Sequence, residues 1–430
     1  MSAVSSAGRL DSAPLLRDLA AALMWFVVIV PPSFGFWLVA GDLAGVPESS
    51  RQTLILASLL CLGLATLAQV KAGHRLPVFE GPASTYLAAI AVLSVGSAAG
   101  HPEAVSGGLL AAGLLVFAFG AVGAERLFRR VFTPPVVTAF MLIVTMIVVR
   151  PTLERAIAHS PTHPWGEWSA WVSTAVVVLV GAGGQAIAAL RSSRLLVALV
   201  AGTAVYALTA GLPPARAGGG WAMPELFPWG DPELTGSIVA PFLIAGLLAS
   251  FNTIASIQVM SITLERPPPR GSDRRALLSH GAMQAIGASL GNVLGNVARL
   301  ESSAIVRMIG NPRPRALAIA AAAAIALAFV SPVVALLARL PIPVSAALVA
   351  VVLGMMFQQS LREAAKLEPR RRWLVLAPAV APTIVWVPLS TSLSEHVQLL
   401  ANPLVIGVAL AVVLDRVVTP RAPAAKTFVR

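Results

Sequence analysis

The chain has 430 residues, 57% of them hydrophobic and 12% charged, with a mean hydropathy of +0.81. Charge at about half the roughly 25% usual in soluble domains excludes an ordinary water-soluble globule and points to a membrane protein. The single cysteine, Cys61, excludes an intramolecular disulfide framework and a cysteine-built metal site, and the net charge of +12 is better explained by topology than by nucleic acid.

Met1 to Pro14 carries Arg9 as its cation and no cleavage signal, so no signal peptide is expected. Crossing roughly 30 Å of hydrocarbon takes about 20 apolar residues in a helix. Runs of this kind follow near Arg17–Ala40, Leu54–Val70, Val105–Ala124, Val136–Val149, Trp168–Leu190 and Leu195–Leu212. They continue near Ile238–Ile262, Leu277–Leu294, Leu317–Leu337, Val344–Met356, Trp373–Leu389 and Pro403–Val418. Two further segments, Pro77–Ser97 and Leu300–Gly310, are apolar but open with glycine, proline or serine and a charge. They read as discontinuous spans, an extended stretch leading into a half-helix.

Counting both gives fourteen crossings, with the two termini on one side. On that count twenty-five of the 31 lysines and arginines fall on one side; Arg51, Arg150, Arg155, Arg216, Arg299 and Arg339 do not. Such bias is the positive-inside pattern and puts both termini in the cytoplasm of a bacterial-type inner membrane. The opposite loops carry Trp165, Trp168, Trp171, Trp221 and Trp229, an aromatic belt at headgroup level. The alanine run Ala316 to Ala328 predicts close helix packing through small residues.

Dividing the chain after Pro214 leaves seven spans in each half, and an odd number inverts the second half relative to the first. The expected fold is therefore an all-α integral membrane protein of about fourteen spans in two inverted repeats, with short extended stretches in spans 3 and 10. "VFEGPAST" at Val78 to Thr85 and "ARLESSAI" at Ala298 to Ile305 look alike and place Glu80 and Glu301 before small residues. An ionisable group at bilayer depth costs at least a few kcal/mol, which makes both carboxylates functional candidates. Extended backbone at that depth is tolerable where two such stretches pair with each other or line a cavity. Ala83, Ser84 and Thr85 would open one half-helix; Ser302, Ser303 and Ala304 would open the other, with partly positive ends suited to a hydrogen-bonding or anionic solute. Desolvation favours the protonated form of a carboxyl group, so Glu301 and Glu80 are the candidates for proton coupling.

Structural alternatives stand beside these readings. Glu80 could be solvated near Lys71 and Arg75, Glu301 could be tied to Arg299, and Asn252 could bond between helices. His74, His101, His159, His163, His280 and His396 fall in or beside loops on this reading, so neither a metal site nor a cofactor is expected. Phosphate-binding loops and nucleophile–base motifs are missing from the sequence, and an enzyme is not expected.

"RLPVFEGPASTYLAAIAVL" resembles the third span of the nucleobase–ascorbate transporter family, which includes bacterial uracil and xanthine permeases, with Pro77, Glu80, Gly81, Pro82, Ala83 and Ser84 at its marked positions. "VSGGLLAAGLLVFAFG" and "RRVFTPPVVTAFMLIV" are similar to its fourth and fifth spans. "LLSHGAMQAIGASLGNVLGN" and the stretch with Pro341 and Pro343 carry the likeness into the second half. The family's tenth-span signature falls on Leu300, Glu301, Ser302, Ser303 and Met308, and where the eighth span usually carries a glutamate this chain offers Ser250, Asn252 and Thr253.

The resemblance implies a core domain, 17–125 with 236–338, moving against a gate domain, 133–213 with 341–418, and a homodimer through the gate. It implies a proton-coupled secondary transporter of a nucleobase, uracil, xanthine or similar, held by Glu80, Ala83, Ser84, Thr85, Ser250, Asn252, Thr253, Glu301, Ser302 and Ser303. The departures from the signature keep a small-anion carrier of the same fold as the second expectation, and a non-transporting sensor or scaffold as the third. Expected partners are the small solute, protons and the lipid bilayer, with no nucleic acid.

Overall fold

A computed structural model describes residues 12–94, 100–125, 131, 133–187, 190, 193–213, 220–390 and 403–418. Arg9, Arg126, Arg129, Arg130, Arg191, Arg216, His396, Arg421, Lys426 and Arg430, which enter the sequence arguments, lie outside the described residues.

The first half contains α1 (Ser12–Ala44), α2 (Arg51–Lys71), β1 (Glu80–Pro82), α3 (Ser84–Leu93), α4 (Pro102–Ala121), α5 (Pro134–Ala156), α6 (Trp168–Gly183) and α7 (Arg194–Ala210). The second contains α8 (Gly236–Thr263), α9 (Ser272–Ser289), β2 (Asn296–Ala298), α10 (Ser302–Ile309), α11 (Pro314–Ala328), α12 (Ser331–Ala338), α13 (Ile342–Lys366), α14 (Ala377–Ser390) and α15 (Pro403–Val418). Among the described residues, six helices are long and apolar enough to cross a membrane: α1, α2, α4, α5, α8 and α13. The chain is a multi-pass, predominantly helical membrane protein. Prolines at the first turns of α4, α5, α11 and α13 start helices where a missing N–H costs nothing.

Three predicted runs are redrawn. Leu317–Leu337 is two helices, because Pro332 offers no N–H to Ala328 and Val330 is extended, bridging to Trp221. Leu277–Leu294 is displaced: the helix starts at Ser272 and stops at Ser289, where Gly291 at φ +86° turns the chain toward β2. The helix expected to reach Ala124 stops at Ala121, with Gly123 at φ +70°.

Small residues set the closest helix crossings, as expected in lipid. A Cβ on Gly281 of α9 would lie 2.3 Å from the Phe117 backbone of α4, and one on Gly63 of α2 would lie 2.7 Å from the Ala321 carbonyl of α11. Ala316, Ala320, Ala321, Ala324 and Ala328 are all buried, so the alanine-rich run packs as a close helix face.

The first interrupted segment meets the chain just ahead of the second. The extended stretch expected to open Leu300–Gly310 lies at Asn296–Ala298, and Glu301 is already in helical backbone conformation. β1 and β2 pair antiparallel with Glu80 opposite Ala298, Gly81 opposite Val297 and Pro82 opposite Asn296. The pairing extends past the strands. Arg299 N–H donates to the Phe79 carbonyl at 3.0 Å, and Phe79 N–H to Ser302 Oγ at 3.2 Å. Ser256 of α8 donates to the Ala298 carbonyl at 3.0 Å and fixes the pair to the bundle.

Candidate functional site

The strand pair has a cavity on each flank. The larger is a cleft of about 590 Å³ between α1, the strand ends, α7, α10 and α13. That is within the roughly 300–1,000 Å³ range of small-molecule sites. Phe36, Phe79, Pro82 and Met308 supply apolar walls, and Arg194, Arg299 and Glu301 supply charge.

Arg299 follows β2 directly. Its Nη1 donates to the Pro82 carbonyl at 3.0 Å and its Nη2 to Glu301 Oε1 at 2.9 Å. The Glu301 side chain is 58% exposed, so the structural alternative, a tie to Arg299, is what the geometry shows, and it stands on the cleft. With its carboxylate end exposed, an ion pair of this kind contributes about 0–1 kcal/mol to folding.

Sequence reasoning missed the contribution of α1. Pro31 and Pro32 lie inside this helix, and neither can donate an N–H to the carbonyls of Val27 and Val28, four residues back. Both valines line the cleft, so the interruption of the helical hydrogen bonds lies at its wall. The "PP" pair in an apolar run was the available signal. Arg194 was also missed; it opens α7 and reaches Met355 Sδ at 3.2 Å across the cleft.

The second cavity lies behind β1 and is water-sized, about 10 Å³, lined by Gln69, Glu80, Ser279, His280, Gln284, Asn292 and Asn296, among others. Glu80 points here, only 1% exposed, which overturns the solvated alternative. Its backbone N–H donates to Thr66 Oγ1 at 3.1 Å, holding the strand against α2. His280 Nδ1 stands 3.8 Å from Glu80 Oε2. His280 departs from the expectation of a loop position: it sits inside α9 and is buried, whereas His74 lies in the turn after α2 as expected, buried, and accepts from the Leu76 N–H at 3.1 Å. The spacing Gly291-Asn292, Gly295-Asn296 was the available signal for the asparagines.

Other predicted site residues disperse. Ala83, Ser84 and Thr85 are buried at the start of α3 and line neither cavity. Ser302 spends its hydroxyl on Phe79 N–H and the Arg299 carbonyl, and Ser303 on the Leu300 carbonyl. Ser250 and Thr253 donate to Gly246 and Ala249 within α8. Asn252 of α8 is half-buried and lines neither cavity.

Residues 19–385 match the permease family Xan_ur_permease. The chain belongs to that family. Among curated proteins it is 22% identical over 261 residues to "Putative purine permease YwdJ" of Bacillus subtilis (strain 168), a match covering 58% of this chain and 59% of that protein. Among solved structures, the transmembrane domain of the cyanobacterial bicarbonate transporter BicA aligns with a TM-score of 0.64 at 18% identity, over 90% of this chain and 97% of that one. The murine anion transporter Slc26a9, in an inward-facing state, aligns at 0.63 and 12% identity, over 96% of this chain and 73% of that one. At these identities the likeness speaks for the fold: this permease shares the fold of solved membrane transporters.

Proposed function

We propose that this permease carries a purine-type nucleobase by alternating access of a core (17–125 and 236–338) against a gate (133–213 and 341–418). The observation that carries the reading is the cleft at the meeting of the two sets of helices. A purine has apolar faces and an edge of alternating donors and acceptors. Phe36, Phe79, Pro82 and Met308 suit the faces; the Arg299 guanidinium and the Glu301 carboxylate suit the edge. The family and the YwdJ match support the same substrate class.

Fourteen spans in two inverted repeats fit the packing. The α4–α9 contact has its exchanged counterpart in α11–α2, α1–α11 in α8–α4, and α6–α7 in α14–α15. The antiparallel strand pair is what a two-fold axis in the membrane plane would produce. Asp42 at the end of α1 is paired with Arg155 of α5 at 2.5 Å, joining core and gate at one end. The cleft separates them toward Arg194, Met308 and Met355, which is the cytoplasmic end in the positive-inside topology. The cleft is then open to the cytoplasm. Of the two carboxylates expected to serve coupling, Glu301 is exposed and engaged in the cleft, and Glu80 is the one we assign to it.

A small-anion carrier is the second reading, favoured by two guanidiniums against one carboxylate on the cleft and by the fold shared with anion transporters. Thermal melting of the purified protein separates the two. Xanthine or hypoxanthine should raise the melting temperature saturably, and sulfate or bicarbonate should not. Stabilisation by the anions alone would replace the first reading with the second.

A further inference from the structure

The water-sized pocket behind β1 has no part in gripping a solute, yet it concentrates buried polar atoms. Glu80 Oε1, Ser279 Oγ, Gln284 Oε1 and Asn296 Oδ1, together with the nitrogens His280 Nε2, Gln284 Nε2 and Asn292 Nδ2, belong to residues that line it, and among the described residues none of these atoms has a hydrogen-bond partner. Glu80, Gln284 and Asn296 are 1%, 3% and 6% exposed. An unmatched buried polar group costs about 1–3 kcal/mol, so a cluster of them drawn from β1, β2 and α9 calls for a ligand.

We propose that this pocket binds a sodium ion. Its oxygens are the ligands that hard cations select: one carboxylate, two side-chain amides and a hydroxyl. Glu80 is the one carboxylate on the lining, so a singly charged guest leaves the buried site neutral, whereas a divalent ion leaves it charged. The volume of about 10 Å³ admits a single water-sized guest, which suits sodium better than the larger potassium.

Two amide donors of the lining, Gln284 Nε2 and Asn292 Nδ2, also lack partners, so a single water is the competing guest. The assignment of sodium rests on the buried Glu80 carboxylate and the amide and hydroxyl oxygens. Asn292 holds its oxygen on the Leu294 N–H at 3.2 Å, so it is not counted as a ligand. With its Nδ1 proton turned toward Glu80, His280 presents a lone pair at Nε2 rather than a proton. The 3.8 Å between His280 and Glu80 exceeds the 2.7–2.9 Å typical of a charge-assisted hydrogen bond, which disfavours a proton held directly between them. Backbone geometry reinforces the cradle. Gly295 has φ +67°, and a Cβ there would lie 2.4 Å from Gln284 Oε1. Only glycine lets the chain pass this close to the amide.

Binding stands on these atoms alone; a role for the ion in coupling rests on the purine-carrier reading. The β1–β2 pair then lies between ion and solute, since Glu80 lines the pocket and its neighbour Phe79 lines the cleft.

The test uses the full-length purified protein in detergent or nanodiscs. Radioactive sodium should bind saturably to the wild type and be displaced by sodium but not by potassium. Sodium should also raise the melting temperature by about 3 °C or more over choline at equal ionic strength. Glu80→Gln and Asn296→Leu should lose both effects, and Ser250→Ala should keep them. Absence of saturable sodium binding in the wild type would overturn the site without recourse to any variant. So would binding that survives both pocket substitutions. Stabilisation by acid in choline, reproduced by Glu80→Gln, would assign a proton in place of sodium. Purine melts run in choline and in sodium separate the two proposals: purine shifts without sodium binding sink only the site, and sodium binding without purine shifts sinks only the carrier.

Discussion

The β1–β2 pair separates two cavities of opposite character. Behind it, a water-sized pocket is closed by residues that are almost wholly buried, with glycine required at Gly295. On the other flank, a cleft of about 590 Å³ is walled by long, adaptable side chains such as Met308 and Met355 and by an exposed ion pair. Sequence similarity makes Glu80 and Glu301 look like counterparts, but they serve different cavities. Strand register, more than local sequence likeness, decides which residues of the two halves are equivalent. In the antiparallel pair Asn296 opens β2 as Glu80 opens β1, and both line the pocket. Glu301 lies three residues beyond β2, immediately before α10.

The comparison breaks first if the two flanks tolerate change equally. Gly295→Ala places a side chain at φ +67°, which costs roughly 1 kcal/mol of backbone strain. It also drives Cβ into the Gln284 amide, and overpacking adds about 1–3 kcal/mol. The expected result is a melting temperature lower by at least about 5 °C, or failure to yield monodisperse protein. Met308→Ala, on the 44% exposed cleft wall, should shift melting by less than about 2 °C. Equal shifts would mean that the cleft wall is packed as tightly as the pocket.

A second test separates coupling from grip. Glu80→Gln keeps the size of the side chain but removes the pocket's one carboxylate. Concentrative purine uptake by cells or vesicles should disappear, while exchange of internal for external purine continues. Glu301→Gln should instead weaken uptake and exchange together, by about tenfold in apparent affinity, because a bidentate acceptor on the cleft is lost. Its melting temperature should stay within about 2 °C of the wild type, since exposed ion pairs contribute little to stability. The reverse pattern, uncoupling by Glu301→Gln and affinity loss by Glu80→Gln, would exchange the roles assigned to the two flanks.

Much of the architecture was legible because the membrane penalises ambiguity. The apolar runs, the prolines at helix starts and the two interrupted segments all express the rule that backbone polar groups in lipid need partners. That two extended stretches would pair followed from it; the pair forms between Glu80–Pro82 and Asn296–Ala298, a few residues ahead of the segment expected to supply the second stretch. The site was less legible for two physical reasons. Side-chain direction alternates along a strand, so a register not written in the sequence decides which cavity a residue enters. Asn292, Asn296, Gln284 and His280 are also types that more often bond locally, and only their convergence in space sets them apart. Pro31 and Pro32 could have been read earlier, since a missing N–H frees acceptors four residues back on any helix.

The smallest expected effect concerns α8, where a solute contact was expected at Ser250 and Thr253. Both are fully buried, and each donates its hydroxyl back along its own helix, Ser250 to Gly246 at 2.8 Å and Thr253 to Ala249 at 3.1 Å. A hydroxyl bonded to a carbonyl of the preceding turn is already satisfied, and that carbonyl keeps its helical N–H when the hydroxyl is removed. Neither side chain reaches the cleft or the pocket. Ser250→Ala and Thr253→Ala should therefore change stability by less than about 1 kcal/mol. Purine uptake kinetics should stay within about twofold of the wild type, a difference of roughly 0.4 kcal/mol in binding. A tenfold rise in apparent KM for either variant would show that α8 turns a hydroxyl toward the solute during transport. The solute would then contact both flanks of the strand pair, and the division between a gripping cleft and a separate ion pocket would fail.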